Sequence, residues 1–220
     1  MSDVLFTPAN IYKDIHKGIR AELFGVTAQL GSLDAADEGA RAAAADRVGA
    51  LGRLLEQHAE HEDEWLADQL ELHVPHLADT IVADHASFDS RLADLAKAAA
   101  AVTNRREVHE LYLDAASFTS DYLRHQDIEE REVLPALLDA MGPEVLTVLH
   151  LDLVASIPPP DMGFALTYMI PGMNIDDRAD LLGGVKATAP AEVFAGVWAL
   201  AGSVLAPADL RALGARLDGA

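Results

Sequence analysis

The sequence predicts an all-α protein, an up-down-up-down four-helix bundle with a C-terminal appendage of short helices. Alanine and leucine dominate the 220 residues and β-branched residues are sparse, which favours helices over strands. Four long segments carry apolar residues at alternating spacings of three and four, the period of a helix with one buried face. The breaks between these segments are short, so consecutive helices are expected to be antiparallel neighbours.

Capping residues and prolines delimit these four helices. Thr7 and Pro8 suit the cap and first turn of the first helix, which is expected to end at the break SLDAADEG. Pro75 forces a turn between the second and third helices. Asn104 precedes the fourth helix, with Glu107 placed as in a capping box. The expected spans of the second, third and fourth helices are about 41–72, 76–102 and 105–142.

The segment after Pro143 changes to short helices separated by SIPPPDMG, IPGMN and TAPAE. Pro190 and Pro207 are well placed to open the last two of these helices. An apolar stripe at helical spacing, too large for so short a segment to bury alone, consists of Phe194, Val197, Trp198, Ala201 and Leu205. The chain is therefore expected to divide into the bundle, residues 1–142, and an extension, residues 143–220, that packs on the bundle or on a second copy in a homodimer.

Composition and charge exclude several kinds of protein. A formal net charge of −20 disfavours nucleic acid and anionic membrane as partners. No apolar run approaches the roughly 20 residues that span a bilayer, and the N-terminal residues lack the basic patch and long apolar core of a signal peptide. A cytoplasmic setting is expected. The absence of cysteine excludes disulfides, thiolate metal sites and cysteine nucleophiles.

One level of the expected core is polar. Each apolar seam contains a histidine at a similar distance from the turns, and the four residues are His16, His58, His85 and His125. At a rise of about 1.5 Å per residue, the differences in height between them amount to only a few Å. The four imidazoles are therefore expected to converge on one layer.

Carboxylates join this layer because they follow its histidines by four or five residues along a helix: Glu62, Asp89, Glu129 and Glu130. Glu129 continues the seam and is favoured over Glu130, which is rotated by about 100°. Ionised acids buried together repel each other and lose hydration unless a cation holds them. Imidazole and carboxylate without sulfur suit iron or manganese, and two ions bridged by carboxylates would use this number of ligands well.

The alternative to a metal centre is a buried hydrogen-bond network, which is costly unless every member is satisfied. Polar residues near the layer are expected to face elsewhere. In the stretch HAEHEDEW these residues are Glu60, Asp63 and Glu64. On the fourth helix, the inward-facing series is expected to continue from Glu129 to Glu132. Ordinary surface or interhelix positions are expected for His61, His73, His76, His109 and His150.

These motifs resemble the hemerythrin-like proteins, four-helix bundles that hold a non-haem di-iron centre. The resemblance covers about residues 8–141 and rests on a histidine in YKDIHKGI, the H-x-x-x-E pair in HAEHE, a histidine in DHASFD, and a histidine followed by acids in HQDIEEREVLP. It implies two iron ions with a bridging oxo or hydroxo group. The ligands that it implies are His16, His58, Glu62, His85, His125 and Glu129, with Asp89 and Glu130 as supplementary candidates.

One position departs from the oxygen-carrying members of that family. Those members have a second histidine on the third helix where this chain has Asp89. A shell richer in oxygen ligands stabilises ferric iron and resembles the carboxylate-rich variants linked to iron sensing or peroxide chemistry. Reversible oxygen carriage is therefore not the function that the resemblance favours.

Aromatic residues lie within a helical turn of the candidate ligands: Tyr12, Trp65, Phe88 and Tyr122. They either pack the core or line a pocket for a small molecule, where a tyrosine hydroxyl can donate a hydrogen bond. Three functional classes follow from the sequence. A redox enzyme would bind or reduce dioxygen, peroxide or nitric oxide; a sensor would signal through residues 143–220; a storage protein would need a shell of subunits.

Overall fold

Every regular element in the computed structural model is helical over the residues that it describes, 9–219, and the all-α prediction is confirmed there. Thr7 and Pro8 lie outside the described residues. No helix within 9–219 combines the length and the apolar character needed to cross a membrane. The helices are α1 Lys13–Gly31, α2 Glu38–His73, α3 Pro75–Ala101, α4 Arg105–Ile128, a π-helix Glu129–Val133, α5 Leu134–Met141, α6 Pro143–Ser156, α7 Pro159–Gly172, α8 Ile175–Thr188, α9 Ala191–Val204 and α10 Pro207–Asp218.

Local chemistry explains where the long helices begin and end. The side chain of Asp37 accepts the backbone N–H of Ala40 at the start of α2, and Asn104 accepts two backbone N–H groups in the first turn of α4. Pro75 occupies the first turn of α3, where no N–H is needed. Gly142 ends α5 with a φ of 80°, a left-handed conformation that favours glycine.

A widened π-helical turn, Glu129–Val133, joins α4 to α5. Pro135 has no backbone N–H, and in an α-helix its ring would collide with the carbonyl of Arg131. A π turn just before the proline takes one residue more per turn and relieves this conflict. The inward position consequently falls on Val133, which is fully buried, while Glu132 is exposed. The prediction that Glu132 continues the seam is wrong, because the inward position lies four residues after Glu129 rather than three.

Contacts divide the described residues into two compact units. The first contains residues 9–13 and Glu22–Ser156, and the second contains Asp14–Ala21 and residues 157–219. The first unit has two apolar regions. One, here called the α5 cluster, comprises Ala9, Tyr12, Leu66, Leu70, Val74, Ala78, Ile81, Val133, Leu134, Leu137 and Leu146. The other surrounds a small cavity lined by Val26, Leu30, Val48, Leu51, Leu92, Leu95, Ala115, Phe118 and Thr119.

The order of these residues shows how the helices of the first unit run. Along α2 and α4 the chain passes from the cavity to the α5 cluster, and along α3 it passes from the α5 cluster to the cavity. Polar contacts reinforce the packing: Arg47 donates to both carboxylate oxygens of Glu22 at 2.7 and 2.8 Å, and the hydroxyls of Thr27 and Thr119 lie 2.9 Å apart.

The second unit has an apolar core of its own, made of Leu166, Ile170, Met173, Leu182, Ala201, Leu205 and Leu213. The predicted stripe of α9 contributes to this core, because Ala201 and Leu205 are buried in it and Phe194 and Trp198 pack against it. The N-terminal turns of α1 belong to this unit as well. An ideal Cβ on Gly172 would lie 2.8 Å from the carbonyl oxygen of Lys17 and 2.9 Å from Cα of Gly18, so the two backbones cross in direct contact. Lys17 also forms a salt bridge with Asp177.

Candidate metal centre

A layer of buried polar residues lies between the two apolar regions of the first unit. On α2 it follows Leu51 and precedes Leu66, and on α4 it follows Thr119 and precedes Val133. Its members with their exposed fractions are His58 at 8%, Glu62 at 6%, His85 at 4%, His125 at 1% and Glu129 at 1%. Helical spacing places these residues on the inward faces of α2, α3, α4 and the π-helix, in line with the apolar residues above and below them.

The layer contains two groups of residues whose donor atoms lie within 4.8 Å of one another. The first group is Glu62, His85, His125 and Glu129, and the second is His16, His58, Glu62 and Glu129. His16, on α1, is fully buried. Glu62 and Glu129 belong to both groups, so each of these carboxylates has histidine donors of both groups around it.

Short distances join imidazole nitrogens to carboxylate oxygens in this layer. Nε2 of His58 lies 3.3 Å from Oε1 of Glu62, and Nε2 of His85 lies 3.4 Å from Oε2 of the same residue. Nε2 of His125 lies 3.1 Å from Oε1 of Glu129. Two ligand atoms about 2.1 Å from a metal ion and at right angles around it are separated by about 3 Å, so these distances suit neighbouring ligands of one ion.

The other ring nitrogen is already engaged on two of these histidines. Nδ1 of His85 lies 2.9 Å from Oδ1 of Asp63, and Nδ1 of His125 lies 3.2 Å from Oδ2 of Asp84. An ionised carboxylate only accepts, so each Nδ1 carries the proton and donates it. In a neutral ring, Nε2 then presents a lone pair to the carboxylates of the layer. Asp63 lies off the buried face, as expected, with its side chain half exposed, but its carboxylate also reaches the edge of the His85 ring.

Lone pairs that face carboxylate oxygens repel each other unless a proton or a metal ion lies between them. Both carboxylate oxygens of Glu62 and the Nε2 atoms of His85 and His125 are buried and have no hydrogen-bond partner among the described residues. Buried polar atoms are almost always satisfied, and leaving several unsatisfied in one place is costly. A cation would satisfy all of them, so the residues present fit a metal ion.

Without metal, the layer must hold protons instead. Burial, and then the neighbouring Glu129 carboxylate, raise the pKa of Glu62 well above its ordinary value of 4.5. Burial lowers the pKa of His125, but Glu129 and Glu62 together raise it more, so the net pKa shift is upward from 6.5. Both shifts favour the protonated forms. Metal binding must therefore release protons.

We expect the metal-free protein to lose stability as the pH rises. A group whose folded pKa is raised stabilises the fold fully below its unfolded pKa, near 4.5 for Glu62 and 6.5 for His125, and this contribution is lost as the pH passes the folded value. The melting temperature of the metal-free protein should fall as the pH rises from these unfolded pKa values to the higher folded ones. The decrease should be smaller in Glu62→Gln. The affinity for metal should rise over the same range. A wild-type profile identical to that of Glu62→Gln would contradict this assignment.

Two supplementary ligand candidates lie outside both groups. Asp89 is exposed, because its neighbour Phe88 occupies the inward position on α3 and consecutive residues point about 100° apart. Glu130 is half buried, next to the fully buried Glu129. His61, three residues after His58, is half buried and likewise belongs to neither group.

The four aromatic residues predicted near the ligands differ in burial. Tyr12, Phe88 and Tyr122 are buried, whereas Trp65 is half buried with its Nε1 atom inside. The rings of Phe88 and Tyr122 lie 5.3 and 5.6 Å from the His125 ring, centroid to centroid. Burial, and then the carboxylates of Glu129 and Glu62, raise the pKa of both tyrosines well above 10. Their phenols therefore keep their protons at neutral pH.

Comparison with known families identifies the fold and the layer together. The family model of the hemerythrin HHE cation-binding domain matches residues 7–137. The chain belongs to this hemerythrin family. The resemblance predicted from the sequence motifs is thus confirmed, and the matched segment contains every residue of both donor groups. As a hemerythrin-like protein it carries a metal-binding module. No curated protein and no solved structure matches the chain.

Sequence reasoning missed the two aspartates that engage the ring nitrogens. Asp63 directly follows Glu62 and Asp84 directly precedes His85, so each is adjacent to a residue of the donor groups. That adjacency is the signal in the sequence. It was not sufficient, because whether a carboxylate beside the inward face reaches a ring on the next helix depends on the spacing between helices.

Proposed function

We propose that this hemerythrin-like chain is a non-haem di-iron protein that binds or reduces a small oxidant: dioxygen, peroxide or nitric oxide. One observation carries the proposal. Imidazole Nε2 atoms and carboxylate oxygens, the kinds of atom that bind these metals, face one another at 3.1 to 3.4 Å in a buried layer. Donors of this kind without sulfur suit iron or manganese, and the hemerythrin family favours iron.

The overlap of the donor groups supports two ions rather than one. Glu62 and Glu129 occur in both, as expected of carboxylates that bridge two metal ions. The proposed ligands are His16, His58, Glu62, His85, His125 and Glu129. Asp89 and Glu130 are left out, because the first is exposed and neither belongs to a donor group. We further propose that residues 1–142 form an up-down-up-down four-helix bundle and that residues 143–220 form a helical extension that packs on the bundle or on a second copy in a homodimer.

The protein's own side chains would prepare the site for a small oxidant. The apolar residues on both sides of the layer exclude bulk water. Phe88 packs against the rings of both His125 and Tyr122, which limits the space beside the ligands. The protonated Oη of Tyr122 supplies a hydrogen-bond donor near the carboxylates. When bound, two iron ions would supply an open coordination position and the electrons for reduction.

We expect peroxide consumption to depend on His58. The iron-loaded, reduced wild-type protein should consume peroxide in a single turnover, followed by its absorption spectrum, and His58→Ala should lower the rate at least about 100-fold because it removes a proposed ligand. His61→Ala is the matched control, since it removes a half-buried histidine three residues away that lies outside both groups. Equal loss in the two variants, or no reaction in the wild type, would count against the enzymatic proposal.

A second function, iron or redox sensing without significant turnover, is favoured by a separate observation. Asp14–Ala21, the segment of α1 that includes His16, belongs to the same compact unit as residues 157–219. Within that unit the segment is held by the Lys17–Asp177 salt bridge and by the crossing of Gly18 and Gly172. Loss or oxidation of a metal ion bound by His16 would therefore act on a helical segment that residues 157–219 hold in place.

Limited proteolysis and size-exclusion chromatography test the sensor. If the protein senses iron, removal or oxidation of the metal should change the cleavage of residues 157–219 or the proportion of homodimer. Asp177→Asn removes the salt bridge to Lys17 on α1, so the same measurements on this variant should show a smaller change between metal states. If the cleavage pattern and the proportion of homodimer are the same in every metal state, the sensor function is wrong and only the oxidant-binding proposal remains.

A further inference from the structure

Two consecutive residues on α2, Glu62 and Asp63, lie close to the two ring nitrogens of His85. Glu62 places Oε2 3.4 Å from Nε2 of His85, and Asp63 places Oδ1 2.9 Å from Nδ1 of the same ring. Neighbouring residues on a helix point about 100° apart, so the two carboxylates reach opposite edges of the ring. Helix α2 thereby fixes both the position and the rotation of a side chain on α3.

The same arrangement recurs one helix further along. Asp84, the residue before His85 on α3, places Oδ2 3.2 Å from Nδ1 of His125 on α4. Two histidines of one donor group therefore each receive a carboxylate from the preceding helix. The recurrence of one contact at two positions indicates a common role.

Asp63 and Asp84 lie at the water-exposed edge of the layer. Their side chains are 49% and 36% exposed, while those of His85 and His125 are 5% and 0% exposed. Exposure keeps these carboxylates hydrated, whereas the rings that they contact are buried. The aspartates can thus act on the donor group without adding buried charge to it.

We propose that Asp63 and Asp84 are positioning residues that fix the tautomer of His85 and His125, hold Nε2 toward the metal and strengthen its electron donation. The inference rests on the proposed function, because it assigns partners to two proposed iron ligands. Carboxylates behind metal-bound histidines generally raise ligand basicity, and their loss weakens metal binding by about 10- to 100-fold. A more basic ligand also stabilises ferric relative to ferrous iron.

The test separates orientation from charge by using two substitutions at each position. Asp63→Asn and Asp84→Asn keep an oxygen that can accept from Nδ1–H but remove the negative charge; Asp63→Ala and Asp84→Ala remove both. Binding of Co²⁺, a redox-inert probe, should weaken about 10- to 100-fold in the alanine variants and less in the asparagine variants. The reduction potential of the iron-loaded protein should become more positive in all four.

Matched controls exclude a general effect of lost charge. Glu64→Gln and Asp68→Asn remove acids at exposed positions of α2 and should leave Co²⁺ affinity and potential unchanged. A variant that merely disturbs packing would lower the melting temperature of the metal-free protein without shifting the potential. If the wild type holds two iron ions and both alanine variants keep its Co²⁺ affinity, the positioning role is wrong; if both asparagine variants keep its potential, the effect on electron donation is wrong. If the wild type holds no iron, the proposed function itself fails.

Discussion

Replacing Glu62 by glutamine is expected to reduce bound iron from about two ions per chain to less than one, the largest effect of any single substitution considered. Glu62 offers oxygens to both donor groups, so its loss weakens both proposed ion sites at once. The metal-free variant should nevertheless be at least as stable as the wild type at neutral pH, since burial raises the pKa of this carboxyl and its ionised form opposes folding there. Elemental analysis after expression with iron measures the first quantity and thermal denaturation the second.

The opposite signs of these two effects make the result specific. A substitution that only damages the fold would lower iron content and melting temperature together. Glu64→Gln, at an exposed position two residues away on α2, should change neither. Retention of two iron ions by Glu62→Gln would show that the buried carboxylate is not a ligand.

Replacing Gly172 by alanine is expected to destabilise the unit that contains residues 157–219 by about 1–3 kcal/mol, the usual range for an overpacked site. The new methyl group would lie 2.8 to 2.9 Å from backbone atoms of Lys17 and Gly18, and backbone cannot move aside as a flexible side chain can. In a Trp65→Phe background, which removes the other tryptophan, urea denaturation followed by the fluorescence of Trp198 measures the change, because Trp198 packs against the core of this unit.

Gly163→Ala on the same helix is the matched control. An added Cβ there meets nothing within 4 Å, and alanine is favoured over glycine in a helix by about 1 kcal/mol, so this variant should be slightly more stable. Similar effects of the two substitutions would show that α1 and α7 do not depend on their close crossing.

The inward layer was predictable from the sequence because helical periodicity alone determines which faces are buried. His58, His85 and His125 each follow an apolar residue of their own helix at a spacing of three or four, and all three lie in the buried layer. The same reasoning chose Glu129 over Glu130, and Glu129 belongs to both donor groups. On α2 the agreement does not extend beyond this layer: after Glu62 the spacing also predicts Leu72 inside, but Leu72 is 71% exposed and Leu66 and Leu70 are buried.

The period fails where tertiary or covalent constraints act. A widened turn precedes Pro135, and Val133, four residues after Glu129, takes the inward place that a three-residue step assigned to Glu132. Asp63 reaches its histidine from a face that periodicity assigns to solvent. The association of Asp14–Ala21 with the C-terminal residues depends on a backbone crossing between residues far apart in sequence, for which a linear pattern contains no signal.

The π turn also bears on how this helix can change in evolution. It accommodates one surplus residue between Glu129 and Leu134, both of which point inward. Deleting a single amino acid among residues 130–132 would let the segment wind as an ordinary α-helix with the acid and the following aliphatic residues still directed into the interior. Related chains that lack one residue here should therefore retain the acid, and length variation at this point is compatible with an intact set of metal donors.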